Sequence, residues 1–363
     1  MKNILYIGPY KENNGLGKSS KRMVECLSEN QDINLSIRPI YLTKASKDSS
    51  IFSDRYVEYE SNKSNYYDAV IQHGYPMMFQ YQSRFGKNIG IPEIETSNIG
   101  HTGWIDRMNL MDEIIFFSQV SAISSIDSGY EKAVKIVNEP YDLKKYQSPK
   151  ADFFTYSDKP YIFYTIGEYS EKKNIKSIIL AFLLEFNKAE NVQLFIKTHD
   201  YSIPDQQLRS LIEYDISQIK KSIRKNDEEY CDIDILCGYL KDIDIIRLHK
   251  SADAYINSVK ADSSGYCAIE AAICNKQVIN TKHIGSSYYF NEFNANMVEA
   301  FETNVFSSHY YDKNSFTIYE KWHEPYIQSI RKSLREAYEN RTKKMHPSDL
   351  DKFDKTEVVK NIL

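Results

Sequence analysis

Two carboxylates with seven residues between them bound the segment of this chain richest in chemistry. Asp262 is followed by Ser263, Ser264 and Gly265, and Glu270 comes about one turn into the apolar run after them. Residues 254–258 ahead of the acids read as a short buried strand, and the run around Glu270 reads as a helix. Asp262 and Glu270 therefore flank a strand–loop–helix turn. Such a turn aims backbone N–H groups above the end of the strand, where the helix dipole favours an anion. A carboxylate near each end suits a polyhydroxylated ligand whose phosphates lie between, one acid for ribose hydroxyls and one for sugar hydroxyls.

Those acids need a scaffold, and the pattern for one occurs twice. Residues 4–7 form a short apolar strand run, residues 8–17 a glycine-bearing loop, and a helix is predicted from Ser19 with Met23, Val24 and Leu27 on one face. Further strands are expected at 69–71, 113–117 and 134–137. The stretch 140–160 holds three prolines, several lysines and little periodicity, and reads as a linker. The pattern then restarts with a strand at 161–166, a polar loop at 167–174, a helix at 175–186 and a strand at 192–196. Strands at 233–237, 254–258 and 277–280 follow. Strands alternating with helices predict an α/β chain of two Rossmann-like domains with parallel sheets. At 363 residues the length suits about two domains. The expected division is 1–150, 151–345 and a closing segment 346–363. Ahead of that closing segment Ile327, Ile330, Leu334, Ala337 and Tyr338 recur at helical spacing, and within it 351–363 reads as one final helix with Phe353, Val358, Val359 and Ile362 on its apolar side.

Composition narrows the partners. A net charge of -4 gives no footprint for nucleic acid. The five cysteines are odd in number and lack metal-ligand spacing, which suits a reduced cytoplasmic setting. The opening residues are broken too early by Gly8 and Pro9 for a signal peptide, and no apolar run approaches the ~20 residues of a membrane span. Ile212, Ile216, Ile219 and Ile223 fall at helical spacing, with Lys220, Lys221, Arg224 and Lys225 opposite. Such a basic face can meet lipid headgroups at the inner face of a membrane, although it is far more often simply solvated.

The segment 238–285 resembles the donor site of glycosyltransferase family 4 and its relatives, which are retaining enzymes of the two-domain GT-B fold. Asp262 takes the first acidic place of that signature, Gly265 its second glycine, and Ile269-Glu270-Ala271-Ala272 its closing run. Ser263, Ser264 and Cys267 replace the usual glycine, phenylalanine and proline. The resemblance implies that Glu270 holds the ribose, that Asp262 faces the transferred sugar, and that N–H groups around Ser263, Ser264 and Gly265 meet phosphate or sugar. Gly238-Tyr239-Leu240 would lie near the base. The loop from Gly167 to Asn174 is similar to the family's diphosphate loop, with Lys173 as the phosphate-binding lysine. Glu168 stands where an arginine is usual, so Lys172 or Lys197 would complete the cationic clamp.

Asn14-Gly15-Leu16-Gly17 resembles the family's first glycine loop, in which Gly15 and Gly17 would let the backbone approach a ligand closely. Glu93-Ile94-Glu95-Thr96, Trp104-Ile105-Asp106 and Trp322-His323-Glu324-Pro325 match further family segments in the family's order. His101, in the small polar segment 98–103, is the candidate histidine at the sugar, ahead of His73. The resemblance also implies that the last helix returns to the N-terminal domain. The expected activity is front-face transfer from a UDP-, GDP- or similar sugar to a glycan, lipid-linked, protein or small-molecule acceptor, with no cofactor. A nucleotide-sugar epimerase and a non-catalytic glycan-binding or partner subunit are the alternatives on the same architecture.

Several decoys fail on spacing. Gly17-Lys18-Ser19 imitates the end of a P-loop, but Glu12 stands where its first glycine belongs. Asp232-Ile233-Asp234 and Asp242-Ile243-Asp244 imitate a D-x-D metal site, but each sits in an apolar-patterned segment where surface or capping acids are expected. With Lys173 as the cation, transfer should survive excess EDTA. Loss of activity with chelator and its rescue by manganese would overturn that expectation.

Overall fold

An apolar strand opens each half of the chain, and each builds a six-stranded parallel sheet. The computed structural model describes residues 1–42, 55–147, 153–154, 158–305 and 316–362. The chain divides into two units, Met1–Leu143 with Leu350–Leu363, and Lys144–Asp349. In the first, β1 (Lys2–Gly8), β2 (Ile33–Pro39), β3 (Ala69–Gly74), β4 (Asn88–Pro92), β5 (Glu113–Phe116) and β6 (Val134–Ile136) lie in the order β2-β1-β3-β4-β5-β6. In the second, β7 (Tyr161–Glu168), β8 (Val192–His199), β9 (Asp232–Cys237), β10 (Ala254–Asn257), β11 (Gln277–Thr281) and β12 (Asn296–Val298) lie in the order β12-β11-β10-β7-β8-β9. The strand order reverses at β1/β3 in the first unit and at β7/β10 in the second. Ligands of open α/β sheets bind beyond the carboxyl ends of the strands at such a reversal.

Helices cover both sheets. The first unit carries α1 (Gly15–Ser28), α2 (Arg55–Ser61), α3 (Trp104–Leu110) and α4 (Gln119–Asp127), followed by α5 (Leu143–Gln147) at the junction. The second carries α6 (Ile175–Glu185), α7 (Asp205–Ile223), α8 (Asp242–Ser251), α9 (Tyr266–Ile273) and the helix Ile327–Glu339. Its core joins Phe163 of β7, Leu194 and Ile196 of β8 and Ile178, Phe182 and Phe186 of α6 and its C-terminal end to Ile330, Leu334 and Ala337 of the last helix. Each Phe, Leu or Ile among them contributes about 1.5–3 kcal/mol when fully buried. An antiparallel hairpin, β13 (Ala300–Asn304) with β14 (Lys321–Pro325), is added beside this sheet sequence. Among the described residues no helix is long and apolar enough to cross a membrane.

Some expected elements differ. Helix α1 starts at Gly15 rather than near Ser19, because the Asn14 side chain accepts the Gly17 N–H at 2.8 Å and caps it. Strands β2 and β4 escaped the sequence reading. The first alternates apolar residues with Asn34, Ser36 and Arg38, a strand pattern that was overlooked, and the second holds Gly90 and ends on Pro92, both of which read as breaks. Of the expected linker, only 140–147, 153–154 and 158–160 are described; Phe154 there packs edge-on against Phe195 of β8, with ring centroids 4.9 Å apart. The basic face of α7 is partly turned inward. Lys225 donates to the carbonyls of Leu183 (2.8 Å) and Phe186 (3.2 Å), and Lys220 lies over the Tyr230 ring.

The closing segment belongs to the first unit from Leu350 onward but is not one helix. Short turns at Pro347–Leu350, Asp351–Phe353, Lys355–Val358 and Val359–Asn361 replace it, and Leu363 lies outside the described residues. Asp354 is the cause. It is extended and its side chain caps Thr356, so the helix must restart there. The Tyr141 N–H donates to the Phe353 carbonyl at 2.7 Å, and the Lys355 N–H returns to the Tyr141 carbonyl at 2.9 Å. Phe353 packs edge-on to Tyr141, while Val358 and Ile362 join the core of β1, β3 and α1. Phe353→Ala should therefore cost about 3–5 kcal/mol of stability, read as an earlier urea midpoint for the first unit. An unchanged midpoint would mean that this tail does not hold the unit together.

Candidate active site

The loop after β7 runs across its own strand. A Cβ on Gly167 would sit 3.2 Å from Cγ of Lys173, so the lysine stem lies along the glycine backbone. Lys173 is half-buried and makes no ion pair among the described residues, but its charge acts on Asp262. Asn174 takes a left-handed conformation (φ 56°) to start α6, and its side chain donates to the Ser258 carbonyl at 3.0 Å. The loops after β7 and β10 are thus tied together. The Lys172 carbonyl accepts the Lys260 N–H at 2.9 Å, and its ammonium lies over the Phe316 ring.

The loop after β10 carries the paired acids, and the structure gives them different surroundings. Asp262 is buried, its Oδ1 accepting the Ser286 N–H at 2.8 Å and its Oδ2 the Asn257 amide at 3.1 Å. Burial pushes its carboxyl above the usual value, while the Lys173 charge and these hydrogen bonds pull it back. Both oxygens therefore hold the protein's own loops, as a carboxylate can while keeping lone pairs for a further donor. Ser264 is wholly buried and Ser263 nearly so, its hydroxyl 3.2 Å from that of Tyr266. Gly265 starts α9 at φ 74° with no side-chain cap. Glu270, on the buried side of α9, accepts the Tyr146 hydroxyl at 3.0 Å through Oε1.

An aromatic group closes the other side. Lys197, nearly buried on β8, lies 5.7 Å from the centroid of Tyr239, whose ring is half exposed and stacks with His199 at 5.0 Å, while Tyr201 meets His199 edge-on. Gly238 takes φ 95°, with its N–H on the Thr198 carbonyl at 3.0 Å, and Leu240 follows half-buried. Sequence reading named Lys197 and Tyr239 but missed His199 and Tyr201, which follow an unbroken strand run and carry no motif. It also missed Lys260, two residues before Asp262, whose ammonium pairs with Glu171 (3.2 Å) and Glu324 of β14 (2.6 Å) over the Trp322 ring.

The remaining candidates lie in the first unit. Gly15 is exposed in the first turn of α1, and Gly17 is buried against the backbone of Glu12, where a Cβ would overlap it. The close approach that Gly17 permits is therefore to its own loop. His101 is exposed in the short turn Ile99–Thr102. His73 is buried on β3, with Nδ1 2.8 Å from the Tyr6 hydroxyl and Nε2 3.3 Å from Glu93. Of the two D-x-D runs, Asp234 accepts from Gln193, and Asp242 and Asp244 sit in the first turn of α8, where acids suit the helix dipole.

No protein-family model and no curated sequence matches this chain. Its fold does match solved structures over almost the whole length. HepE from Anabaena, in complex with UDP and glucose, is 12% identical with a TM-score of 0.63, over 100% of this chain and 98% of that one. The UDP-forming α,α-trehalose-phosphate synthase of Burkholderia xenovorans, in complex with glucose-6-phosphate, is 10% identical with a TM-score of 0.65, over 99% of each. A trehalose-6-phosphate synthase studied for enzymatic glycosyltransfer with retention is 10% identical with a TM-score of 0.62, over 99% of this chain and 97% of that one. The chain has the GT-B fold: two Rossmann-like α/β units, each with a six-stranded parallel sheet.

Within that fold Gly265 bears two constraints at once, a left-handed φ and a position where a Cβ would overlap that of Ser286. Gly265→Ala should lower stability by about 2–4 kcal/mol, combining the left-handed penalty with overpacking. Denaturant titration checks this, and a loss below ~1 kcal/mol would show that the loop can move aside.

Proposed function

We propose that this chain is a retaining glycosyltransferase that moves a sugar from a nucleotide diphosphate sugar to a hydroxyl acceptor. The observation that carries the reading is the company Lys173 keeps. A half-buried lysine with no ion pair among the described residues lies on the β7 loop, next to the uncapped start of α9, at the reversal of strand order in the second sheet. Ammonium and helix N-terminus together suit a diphosphate. Glu270 is the acid for the ribose diol, and Tyr239 with His199 offers a ring face for the base near Gly238 and Leu240. Lys172 and Lys197 add positive charge beside the phosphates. N–H groups of Ser263, Ser264 and Gly265 meet the phosphate or the sugar, with Asp262 holding their loop in shape. Of the first unit, His101 is proposed at the transferred sugar and Gly15 at the donor.

No carboxylate of the second unit is nominated as a covalent nucleophile, so a front-face route fits better than a double displacement. The leaving phosphate takes the acceptor's proton as the glycosidic bond to the nucleotide breaks and the new one forms. Lys173 and the backbone donors stabilise the charge that grows on the phosphate, and no metal is called on for that task. UDP and GDP sugars both fit this chemistry, and the fold relatives solved with UDP make it the first donor base to try.

A thermal-shift panel of UDP, GDP and ADP tests the reading. At a hundred times its dissociation constant the right nucleotide adds about 2.7 kcal/mol, a rise of roughly 5–10 °C for a unit of this size. Glu270→Gln should then weaken that nucleotide by about 1.5–3 kcal/mol in calorimetry. A panel in which none of the three shifts the protein would sink the proposal. An epimerised nucleotide sugar as the product would replace it with an isomerase.

A further inference from the structure

Glu270 does not stand alone. Its Oε2 faces Nε2 of His249 at 3.5 Å, and Nδ1 of His249 lies 2.7 Å from the Tyr164 hydroxyl. His249 sits in the last turn of α8 and Tyr164 in the middle of β7, and both are wholly buried. We infer that His249 is a positioning residue for Glu270, with its tautomer fixed by Tyr164. The inference rests on the reading of Glu270 as the ribose-binding acid.

The tautomer follows from the contacts. A neutral imidazole carries one N–H, and a bare Nε2 lone pair would face the Glu270 carboxylate with repulsion. The proton therefore belongs on Nε2, which makes Nδ1 the acceptor and Tyr164 the donor. A buried tyrosine hydroxyl in an apolar sheet needs a partner in any case, and here it has one. The chain of donors then runs in one direction, Tyr164 to His249 to Glu270. Tyr146 donates to the other oxygen at 3.0 Å. At 3.5 Å the approach of Nε2 to Oε2 is an electrostatic contact rather than a made hydrogen bond; with the Tyr146 hydrogen bond on Oε1 it orients the carboxylate without saturating it, since a carboxylate accepts about four hydrogen bonds. A ribose diol would meet an acid whose rotamer is already set, which lowers the ordering cost of binding.

The first unit holds the same sequence of atoms made from other elements. Tyr6 of β1 lies 2.8 Å from Nδ1 of His73 on β3, whose Nε2 is 3.3 Å from Glu93 beyond β4. Tyr6→Phe is therefore a matched control, deleting the same hydroxyl from the same kind of chain in the unit that holds neither Lys173 nor Glu270.

The test joins nitrogen NMR of the wild-type histidines to calorimetry with UDP and GDP on four variants. His249 should show a protonated Nε2 and a hydrogen-bonded, unprotonated Nδ1. In His249→Asn the amide reaches Tyr164 but not Glu270, so the nucleotide that binds wild type should weaken by up to about tenfold, the ceiling being one charge-assisted hydrogen bond. His249→Gln, whose amide nitrogen reaches the place of Nε2, should restore most of that affinity. Tyr164→Phe should weaken binding and Tyr6→Phe should not. A protonated Nδ1 would overturn the inference, as would wild-type affinity in His249→Asn, or equal losses in Tyr6→Phe and Tyr164→Phe. If Glu270→Gln loses affinity while His249→Asn keeps it, only this inference fails; if wild type binds neither nucleotide, the functional reading falls and takes it along.

Discussion

Two loops of the second unit pass so close that neither has room for a side chain where they cross. A Cβ on Gly265 would overlap the Cβ of Ser286, and a Cβ on Gly285 would overlap the Ser263 carbonyl. The Gly285 N–H donates to the Asp262 carbonyl at 3.1 Å, and the Ser286 N–H to the Asp262 carboxylate. Asn257 then gathers Asp262, Asn280 and Ser286 about one amide, at 3.1, 2.7 and 3.2 Å. With Asn174 reaching the Ser258 carbonyl, the carboxyl ends of β7, β10 and β11 become one interlocked surface. The start of α9 is aimed by that interlock, and so is everything that binds there. A site held within a few tenths of an ångström needs such support from residues that never touch a ligand.

Stability alone gives little reason to gather so many polar groups beneath one sheet edge. Lys197, Lys260, Asp262 and Glu270 are each at least nine-tenths buried, and His249 wholly so. Buried charges are costly unless paired, and replacing such pairs with apolar side chains is often neutral or stabilising. Lys260 shows how the cost is offset. Its ammonium is held between Glu171 and Glu324 over Trp322, and its carbonyl accepts the His323 N–H at 2.9 Å. The lysine thereby joins the β7 loop to the β13–β14 hairpin, whose Trp322 packs with Ala261, Val305 and Phe316. This polar cluster is a reason to look for function at the second sheet's reversal point.

What could be read from the sequence follows from how local each signal is. Strands β7, β8 and β10 are buried on both faces, so their apolar runs stood out without knowledge of their neighbours. The loop–helix turn at Asp262–Glu270 was legible because all its parts lie within a dozen residues. The triad of Tyr164, His249 and Glu270 was not, since its members come from a strand and two helices, with Tyr164 and His249 alone 85 positions apart and Glu270 further on. Nothing in an isolated H-K-S-A-D run says which way the histidine points. Asp354 was misread for a related reason: its cap to Thr356 is local, but the bridge that makes it extended comes from Tyr141, more than two hundred residues away.

The two acids that began the reading as an equivalent pair end with separate tasks. Asp262 precedes the helix and turns back into the loops, where donors occupy both its oxygens; Glu270 rides on the helix and is oriented by donors from α5 and, on the inference above, from α8. Burial pushes the Asp262 carboxyl above its usual value, and the charge of Lys173 is the largest influence pulling it back. The two carboxylates are thus set by different neighbours: loop donors and a nearby ammonium fix Asp262, and a tyrosine hydroxyl from α5 fixes one oxygen of Glu270, so exchanging the two acids would lose the support of both.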